Sequence, residues 1–125
     1  MVSDSSVAAE ALAEFYSASD QLDLSRLLPL LSEDIEVRFG NGPAMVGHAA
    51  AAAACRQFWA SLESMNHEPV KIVANGNDFV QMAIVTYKLK TGKQVSMPVS
   101  SYFRRQSDGR FDRMWVYIDM APLFA

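Results

Sequence analysis

The sequence predicts an α+β fold in which three helices precede a four-stranded antiparallel meander. Apolar residues recur at helical spacing in the first half of the chain, whereas from His67 onward the period is two. The last predicted strand, residues 110–119, is apolar at every position from Met114 to Ile118. Such a strand leaves neither face to water, so we expect helices over one face and a second sheet or a second subunit over the other.

The composition is that of a chain able to bury a core. Its 125 residues are 50% hydrophobic, and we expect one domain spanning residues 1–125. A net charge of -3 offers no basic face, which argues against a nucleic-acid partner. The single cysteine, Cys55, excludes an intrachain disulfide. The start of the chain lacks a basic, apolar leader pattern and no run approaches ~18 apolar residues, so we expect a soluble cytoplasmic protein without a membrane partner.

The first helix is predicted after residues 4–6, whose aspartate and serines offer an N-cap. Residues 20–23 predict a turn, and Asp23 can cap a short second helix that starts at Leu24. Pro29 should kink or end that helix because its ring removes a backbone donor. The apolar face of the first helix comprises Ala8, Ala11, Leu12, Phe15 and Ala18.

A half-buried strand is predicted over residues 35–39, where apolar and charged residues alternate, and Gly40 to Pro43 end it. A third helix is predicted after Gly47. It begins with six consecutive alanines at 49–54, which predict a close approach to another element. Its apolar face is then continued by Cys55, Phe58, Trp59, Leu62 and Met65.

The meander is predicted from period-two patterns separated by turn sequences. The turns are Asn75-Gly-Asn-Asp78, Thr91-Gly92 and Ser107-Asp-Gly109, and the strands are 68–74, 79–90, 93–106 and 110–119.

Together these elements resemble the SnoaL-like branch of the nuclear transport factor 2-like superfamily. The resemblance lies in Phe15-Tyr16, Asp23-Leu24, Glu33-Asp34, Gly47, Gly109-Arg-Phe and Tyr117-Ile-Asp119. It implies a conical, curved antiparallel sheet wrapped around the long third helix, with a cavity between the concave face and the helices. It also implies a homodimer formed through the convex face.

By similarity to the steroid isomerases of this superfamily, even-numbered residues of the last strand face the cavity, while Trp115 and Tyr117 face the dimer partner. One of Ser100 and Ser101 points inward and can bond a ligand; Ser101 is the residue we include. The expected partner is a small apolar molecule. The predicted apolar wall comprises Phe15, Phe39, Phe58, Trp59, Met82, Ile84, Met97, Val99, Met114, Val116 and Ile118. The alternative interpretation is that these side chains fill the cone completely.

The catalytic residues used by known enzymes of the superfamily are absent from the matching positions of this chain. The carboxylate base of the steroid isomerases falls on Phe39, and their carboxylic acid falls on Ser100 or Ser101. Their tyrosine falls on Phe15, unless a one-residue slip brings Tyr16 into its place. A phenyl ring cannot abstract a proton, so that mechanism is absent.

Two further chemistries also lack their residues. The His-Trp-Asp motif of the SnoaL-type cyclases falls on Met114, Trp115 and Val116, which have no acid or base at the outer positions. The epoxide hydrolases use an Asp-Arg-Asp arrangement, and strands 79–90 and 93–103 contain no aspartate.

The catalytic candidates that remain are His67 and Tyr16. Imidazole titrates near neutral pH without help, so His67 is the preferred general base; the alternative is a histidine at the strand end without function. Tyr16 can donate a hydrogen bond to a ligand oxygen; the alternative is a hydroxyl that lies at the surface of the helix. His48 is expected to be exposed or to help close the turn at Gly47. Tyr16, His48 and His67 invite comparison with scytalone dehydratase, which uses two histidines.

Other polar residues are interpreted as structural. Arg38 is expected in a surface ion pair, and Asp119 as a cap for the turn into Pro122. Two separated histidines and one cysteine predict no metal site, and no glycine-rich loop predicts a phosphate-binding cofactor.

The leading hypothesis is a SnoaL-like homodimer that binds a small hydrophobic metabolite, with isomerase, cyclase or dehydratase chemistry if it is an enzyme. One alternative is a non-catalytic ligand-binding or dimerisation module, because the recognised catalytic carboxylates are missing. Another is a protein-interaction role through an exposed sheet face that carries Trp115 and Tyr117.

Overall fold

A computed structural model describes residues 3–124 of the chain; Met1, Val2 and Ala125, which the single-domain prediction includes, lie outside the described residues. The helices are α1 (Asp4–Asp20), α2 (Leu24–Leu27), α3 (His48–Trp59) and α4 (Ala121–Phe124), and a 3₁₀ turn spans Leu28–Leu30. The strands are β1 (Leu31–Phe39), β2 (Met45–Val46), β3 (Leu62–Asn75), β4 (Asp78–Leu89), β5 (Gln94–Arg105) and β6 (Phe111–Tyr117).

The predicted meander is confirmed, and it belongs to a larger curved, unclosed sheet. The order of the six strands is β2-β1-β6-β5-β4-β3, so β1 and β2 extend the meander beyond its last strand. The expectation of a purely antiparallel sheet is wrong in one pairing, because β1 runs parallel to β6. The connection between the two strands is most of the chain, which gives β1 room to arrive in the same direction as β6. The α+β class is as predicted.

The helices and the inner face of the sheet enclose an aromatic core. Phe103 is 0% exposed, and its ring centroid lies 4.9 Å from that of Phe15 and 5.0 Å from that of Phe111. Ala51 and Ala52 of α3 are buried, as the close approach predicted from the alanine run requires. α1 begins at a different cap from the one expected, because the Ser3 side chain accepts the hydrogen bond from the backbone N–H of Ser6.

The predicted C-terminal half of the third helix is wrong. α3 ends at Trp59, and both Leu62 and Met65 lie in β3, which starts six residues earlier than the predicted start at 68. The strand's pairing with β4 shifts between Leu62 and Ser64. The bulge adds one residue to the strand, so the inward side chains of Leu62 and Met65 are three positions apart instead of two. Spacing of three positions is also typical of one face of a helix, which is why the sequence predicts a helix here.

The predicted placement of Met82 and Ile84 in the cavity wall is also wrong. They are 36% and 38% exposed and lie on the outer face of β4. The inner face carries the alternate residues, including Gln81, Ala83 and Val85. Apolar residues occupy both faces of this strand, so hydrophobicity does not show which alternate residues face the core. An error of one residue then places every side chain on the opposite face.

No helix within residues 3–124 combines the length and the apolar character needed to cross a lipid bilayer.

Candidate functional site

A small cavity lies between the inner face of the sheet and helices α1 and α3. We call it the inner cavity; its volume is about 40 Å³. Most of its wall is apolar, and a few hydroxyl groups and one imidazole interrupt it. The lining residues are Phe15, Tyr16, Ser19, Leu27, Phe39, Cys55, Phe58, Trp59, Met65, His67, Tyr87, Val99, Ser101, Met114 and Val116.

The imidazole of His67 is held by the carboxylate of Asp20, the last residue of α1. The His67 Nδ1 lies 2.6 Å from one oxygen of Asp20, and the backbone N–H of His67 donates to the other oxygen at 2.9 Å. The side chain of His67 is 9% exposed and that of Asp20 is 22% exposed. Both carboxylate oxygens are therefore used to fix one histidine, across 47 positions of sequence.

This contact determines how the imidazole can act. An ionised carboxylate only accepts hydrogen bonds, so Nδ1 carries the hydrogen that it donates to Asp20. In the neutral ring Nε2 then has the free lone pair. No protein group within residues 3–124 forms a hydrogen bond with Nε2. A histidine oriented in this way by a carboxylate can accept a proton from a bound molecule.

Tyr16 places a phenol beside this imidazole. The two ring centroids are 4.2 Å apart, with the planes tilted by 34°. Burial raises the pKa of Tyr16, a hydrogen bond with Ser101 acts in the opposite direction, and the negative charge of Asp20 raises the pKa further. Tyr16 therefore stays protonated at neutral pH and keeps a hydrogen to donate.

Two more titratable groups face the same space. Burial, reinforced by the negative charge of Asp20, raises the pKa of Tyr87, which is 2% exposed. Burial raises the pKa of Cys55 to about 11. Both groups are neutral near pH 7. The inner cavity thus combines a carboxylate-oriented base with protonated phenols in apolar surroundings.

These shifts predict a coupling between alkaline ionisation and unfolding. Because the pKa values of Tyr16 and Tyr87 are raised by the fold, the stability they contribute is fully present below pH 10.0, their ordinary pKa, and is lost as pH rises beyond it. We expect part of the tyrosinate absorbance to appear only together with the loss of circular dichroism. Tyr16→Phe and Tyr87→Phe should each remove one tyrosine from that joint step. If every tyrosine ionises before the circular dichroism changes, the burial of these phenols is wrong.

Most of the predicted site residues do line the inner cavity. They are Phe15, Tyr16, Phe39, Phe58, Trp59, His67, Val99, Ser101, Met114 and Val116. Met97 and Ile118 do not. Met97 is buried and packs with Val85 and Leu89, neither of which lines the inner cavity. β6 ends at Tyr117, so Ile118 is no longer constrained by strand alternation and lines a surface depression with Gly40 and Asp119. The placement of Met97 and Ile118 in the inner wall is therefore wrong.

The open question about the two serines is also answered: Ser101 is 3% exposed and faces inward, and Ser100 is on the outer face. His48 lies away from the inner cavity, because its Nε2 donates to the carbonyl oxygen of Leu31 at 2.7 Å. The structure thus brings together Tyr16 and His67 but not His48.

The remaining polar candidates are structural. The guanidinium carbon of Arg38 lies 5.8 Å from the ring centroid of Trp115 on the outer face, which differs from the predicted surface ion pair. Asp119 accepts a hydrogen bond from the backbone N–H of Ala121 at 3.0 Å and so caps α4, which agrees with its predicted capping role.

Sequence reasoning missed Asp20 and Tyr87. The sequence predicts Asp20 only as part of a turn, although Asp20 follows Tyr16 by four positions and so shares its helix face. Tyr87 belongs to β4, the strand for which the predicted inward face is wrong. The other missed lining residues are Ser19, Leu27, Cys55 and Met65. Within the described residues, no three His, Cys, Asp or Glu side chains come close enough to hold a metal ion.

Solved structures with this fold are numerous. A polyketide cyclase candidate from Xanthomonas campestris pv. campestris is 21% identical, with a TM-score of 0.85 over 97% of this chain and 96% of that one. An NTF2-like protein of unknown function from Burkholderia pseudomallei is 18% identical, with a TM-score of 0.83 over 98% and 96%. The epoxide hydrolase/cyclase-like enzyme SalBIII, described for its role in pyran ring formation in the polyether salinomycin, is 16% identical, with a TM-score of 0.82 over 94% and 95%.

At these identities the likeness establishes the fold alone. No curated protein sequence matches the chain. The sequence model of the SnoaL-like domain matches residues 12–114, well over half of the chain and including most of the inner cavity's wall. The chain therefore belongs to the SnoaL-like domain family.

Proposed function

We propose that this protein binds a small, largely apolar carbonyl compound and transfers a proton at the carbon next to the carbonyl group. The observation that carries the proposal is the hydrogen bond between Asp20 and His67, at 2.6 Å, beside a protonated Tyr16 in an apolar cavity. His67 Nε2 removes the proton, and the Tyr16 hydroxyl donates a hydrogen bond to the oxygen on which negative charge develops.

The outcome of such a step depends on where the enolate reacts. If the proton held by His67 returns to a different carbon, the product is an isomer. If the enolate carbon instead attacks a second carbonyl carbon of the same molecule, a ring closes as the C=O π bond opens, and the resulting alkoxide takes the proton from His67. Both outcomes fit a family whose structural neighbours include cyclase candidates. Met114 and Val116 supply apolar wall where the resemblance to SnoaL-type cyclases implies acid and base, so the proposed chemistry relies on α1 and β3.

Deuterium exchange tests this proposal without knowledge of the natural substrate. Cyclohexanone and beta-tetralone are incubated with the protein in heavy water, and loss of the proton signal next to the carbonyl is followed by NMR. We expect exchange to be faster with the protein than with buffer alone, and Tyr16→Phe to slow it by about 10²-fold. An exchange rate equal to that of buffer for both ketones would favour the alternative of a non-catalytic binding module.

We also propose a homodimer through the outer face of the sheet, as expected from the family resemblance. Strand pairing aligns Met82 with Ser100 and Ser100 with Tyr117, so these residues form one row across that face. Tyr117 is 63% exposed, and Ile84 adds apolar surface beside the row. Exposed apolar side chains gathered in this way are typical of interaction sites.

Sedimentation provides the test of the dimer. Tyr117→Glu is expected to convert a dimer into a monomer, because a carboxylate would be buried without a partner. Trp115 is less suitable for this test because its Nε1 donates to Glu36 at 2.8 Å within the chain. Val46→Glu is the matched control, since Val46 has the same 63% exposure but lies on the edge strand β2. Unchanged mass for Tyr117→Glu, or equal loss in both variants, would contradict this face.

A further inference from the structure

The inner cavity is too small for the ligands that the proposed function requires. About 40 Å³ gives room for roughly three water molecules, less than a ring-bearing ketone needs. A second and larger space, which we call the outer pocket, adjoins it and has a volume of about 380 Å³. That volume lies in the range of small-molecule sites.

Two phenyl rings separate the inner cavity from the outer pocket. Phe39 ends β1, Phe58 lies in the last turn of α3, and both line the two spaces. Their ring centroids are 6.0 Å apart, with the planes tilted by 51°. Both side chains are only half-buried, so neither is fixed by packing on all sides. On the inner side Phe58 lies against Tyr87, with ring centroids 5.6 Å apart, so one of the two shared rings contacts a phenol that lines the inner cavity.

The outer pocket has an uncharged wall that is apolar apart from Gln57. No Asp, Glu, Lys or Arg occurs among the described residues that line it. Phe124 is 66% exposed there, although large apolar side chains usually gain from being covered. A charged ligand would find no ion pair in this pocket, whereas an alkyl or terpenoid-like body would cover Met45, Met120 and Phe124.

We infer that the ligand of this protein is elongated: a compact, oxygen-bearing head passes between Phe39 and Phe58 to reach His67 and Tyr16, and an apolar body stays in the outer pocket. The identity of the head rests on the proposed function. The assignment of the body to the outer pocket rests on the volumes, the shared phenyl rings and the uncharged wall. Phe39 and Phe58 then act as a gate that the head opens, and the length of the body determines affinity.

A chain-length series of phenols tests this inference by binding alone. The probes are para-ethylphenol, para-butylphenol, para-hexylphenol and para-octylphenol, titrated calorimetrically. With the wild-type protein we expect affinity to rise by up to about fourfold per methylene group until the outer pocket is filled. Ala54→Arg introduces a long charged side chain into that pocket and should abolish the rise, so that para-octylphenol loses the most affinity and para-ethylphenol, which reaches least far into the pocket, loses the least.

Ala53→Arg is the matched control, because Ala53 is the exposed neighbour on the same helix and does not line the outer pocket. It adds the same charge and the same helix propensity. The same chain-length dependence in both variants, no such dependence in the wild type, or an equal loss of all four phenols in Ala54→Arg would each overturn the inference. Because the readout is binding, a positive result stands even if ketone exchange fails. If the protein accelerates ketone exchange but the affinity for the phenols does not change with chain length, the role of the outer pocket is wrong and the proposed function stands.

Discussion

Replacing His67 by glutamine is expected to slow ketone exchange by about 10²–10⁴-fold, the usual contribution of a positioned general base. Glutamine keeps a polar side chain of similar length but has no basic nitrogen lone pair. His48→Gln is the matched control, since the chain has two histidines and His48 bonds to the Leu31 carbonyl away from the inner cavity. Its exchange rate should stay within about twofold of the wild type.

Asp20→Asn tests the orientation of the imidazole separately from its presence. An amide nitrogen facing Nδ1 would donate a hydrogen bond to it and favour the tautomer that carries its hydrogen on Nε2. The base would then be blocked, and we expect exchange to fall by roughly 10²-fold or more. If Asp20→Asn and His67→Gln lower stability but leave the exchange rate unchanged, the contact serves only to attach β3 to α1.

Phe103→Ala is expected to reduce the free energy of unfolding by about 3–5 kcal/mol, which makes it the largest stability effect we predict. Phe103 is fully buried, and its ring makes edge contacts with Phe15 and Tyr16, whose centroids are 4.9 and 6.0 Å away. Removing it leaves a void in the centre of the core and also removes the support behind Tyr16. Loss of ketone exchange in this variant would follow from that loosened support.

Denaturant unfolding monitored by circular dichroism measures this effect, and Phe124→Ala makes the same chemical change at an exposed position. We expect Phe124→Ala to change stability by less than about 0.5 kcal/mol. Equal midpoints for the two variants would show that the aromatic core is not packed as described. A changed slope for Phe103→Ala would indicate a change in the surface exposed on unfolding, and the midpoint alone would then not report stability.

The Asp20–His67 contact bears on why the chain resembles an enzyme family but lacks that family's acid and base residues at the matching positions. At the positions where the family resemblance implies acid and base, this chain has Phe39, Met114 and Val116, and all three line the inner cavity as apolar wall. The titratable groups enter instead from the end of α1 and from β3. The proposed function depends on this different origin of the base, which is why the two substitutions at Asp20 and His67 are the most informative.

Periodicity and turn chemistry in the sequence were enough to predict the α+β class, the order of the elements and the antiparallel meander. Tyr16 and His67 are also predicted from the sequence as catalytic candidates, because few polar residues fall on otherwise apolar faces, and their catalytic role stays a prediction. The helices, the strands and the hairpins depend on residues within a few positions of one another, so they can be predicted from local spacing. The bulge after Leu62 and the face of Met82 were predicted wrongly, because each depends on pairing with another strand.

The partner of the histidine was decided only by tertiary structure. Asp20 and His67 are 47 positions apart, and nothing local in the sequence indicates that the end of α1 would meet β3 at hydrogen-bonding distance. The same holds for the separation of the inner cavity from the outer pocket, which results from Phe39 and Phe58 arriving from different elements. The sequence by itself determined the fold and the candidate base; only the packing of α1 and α3 on the curved sheet decided what orients that base and how large the space beside it is.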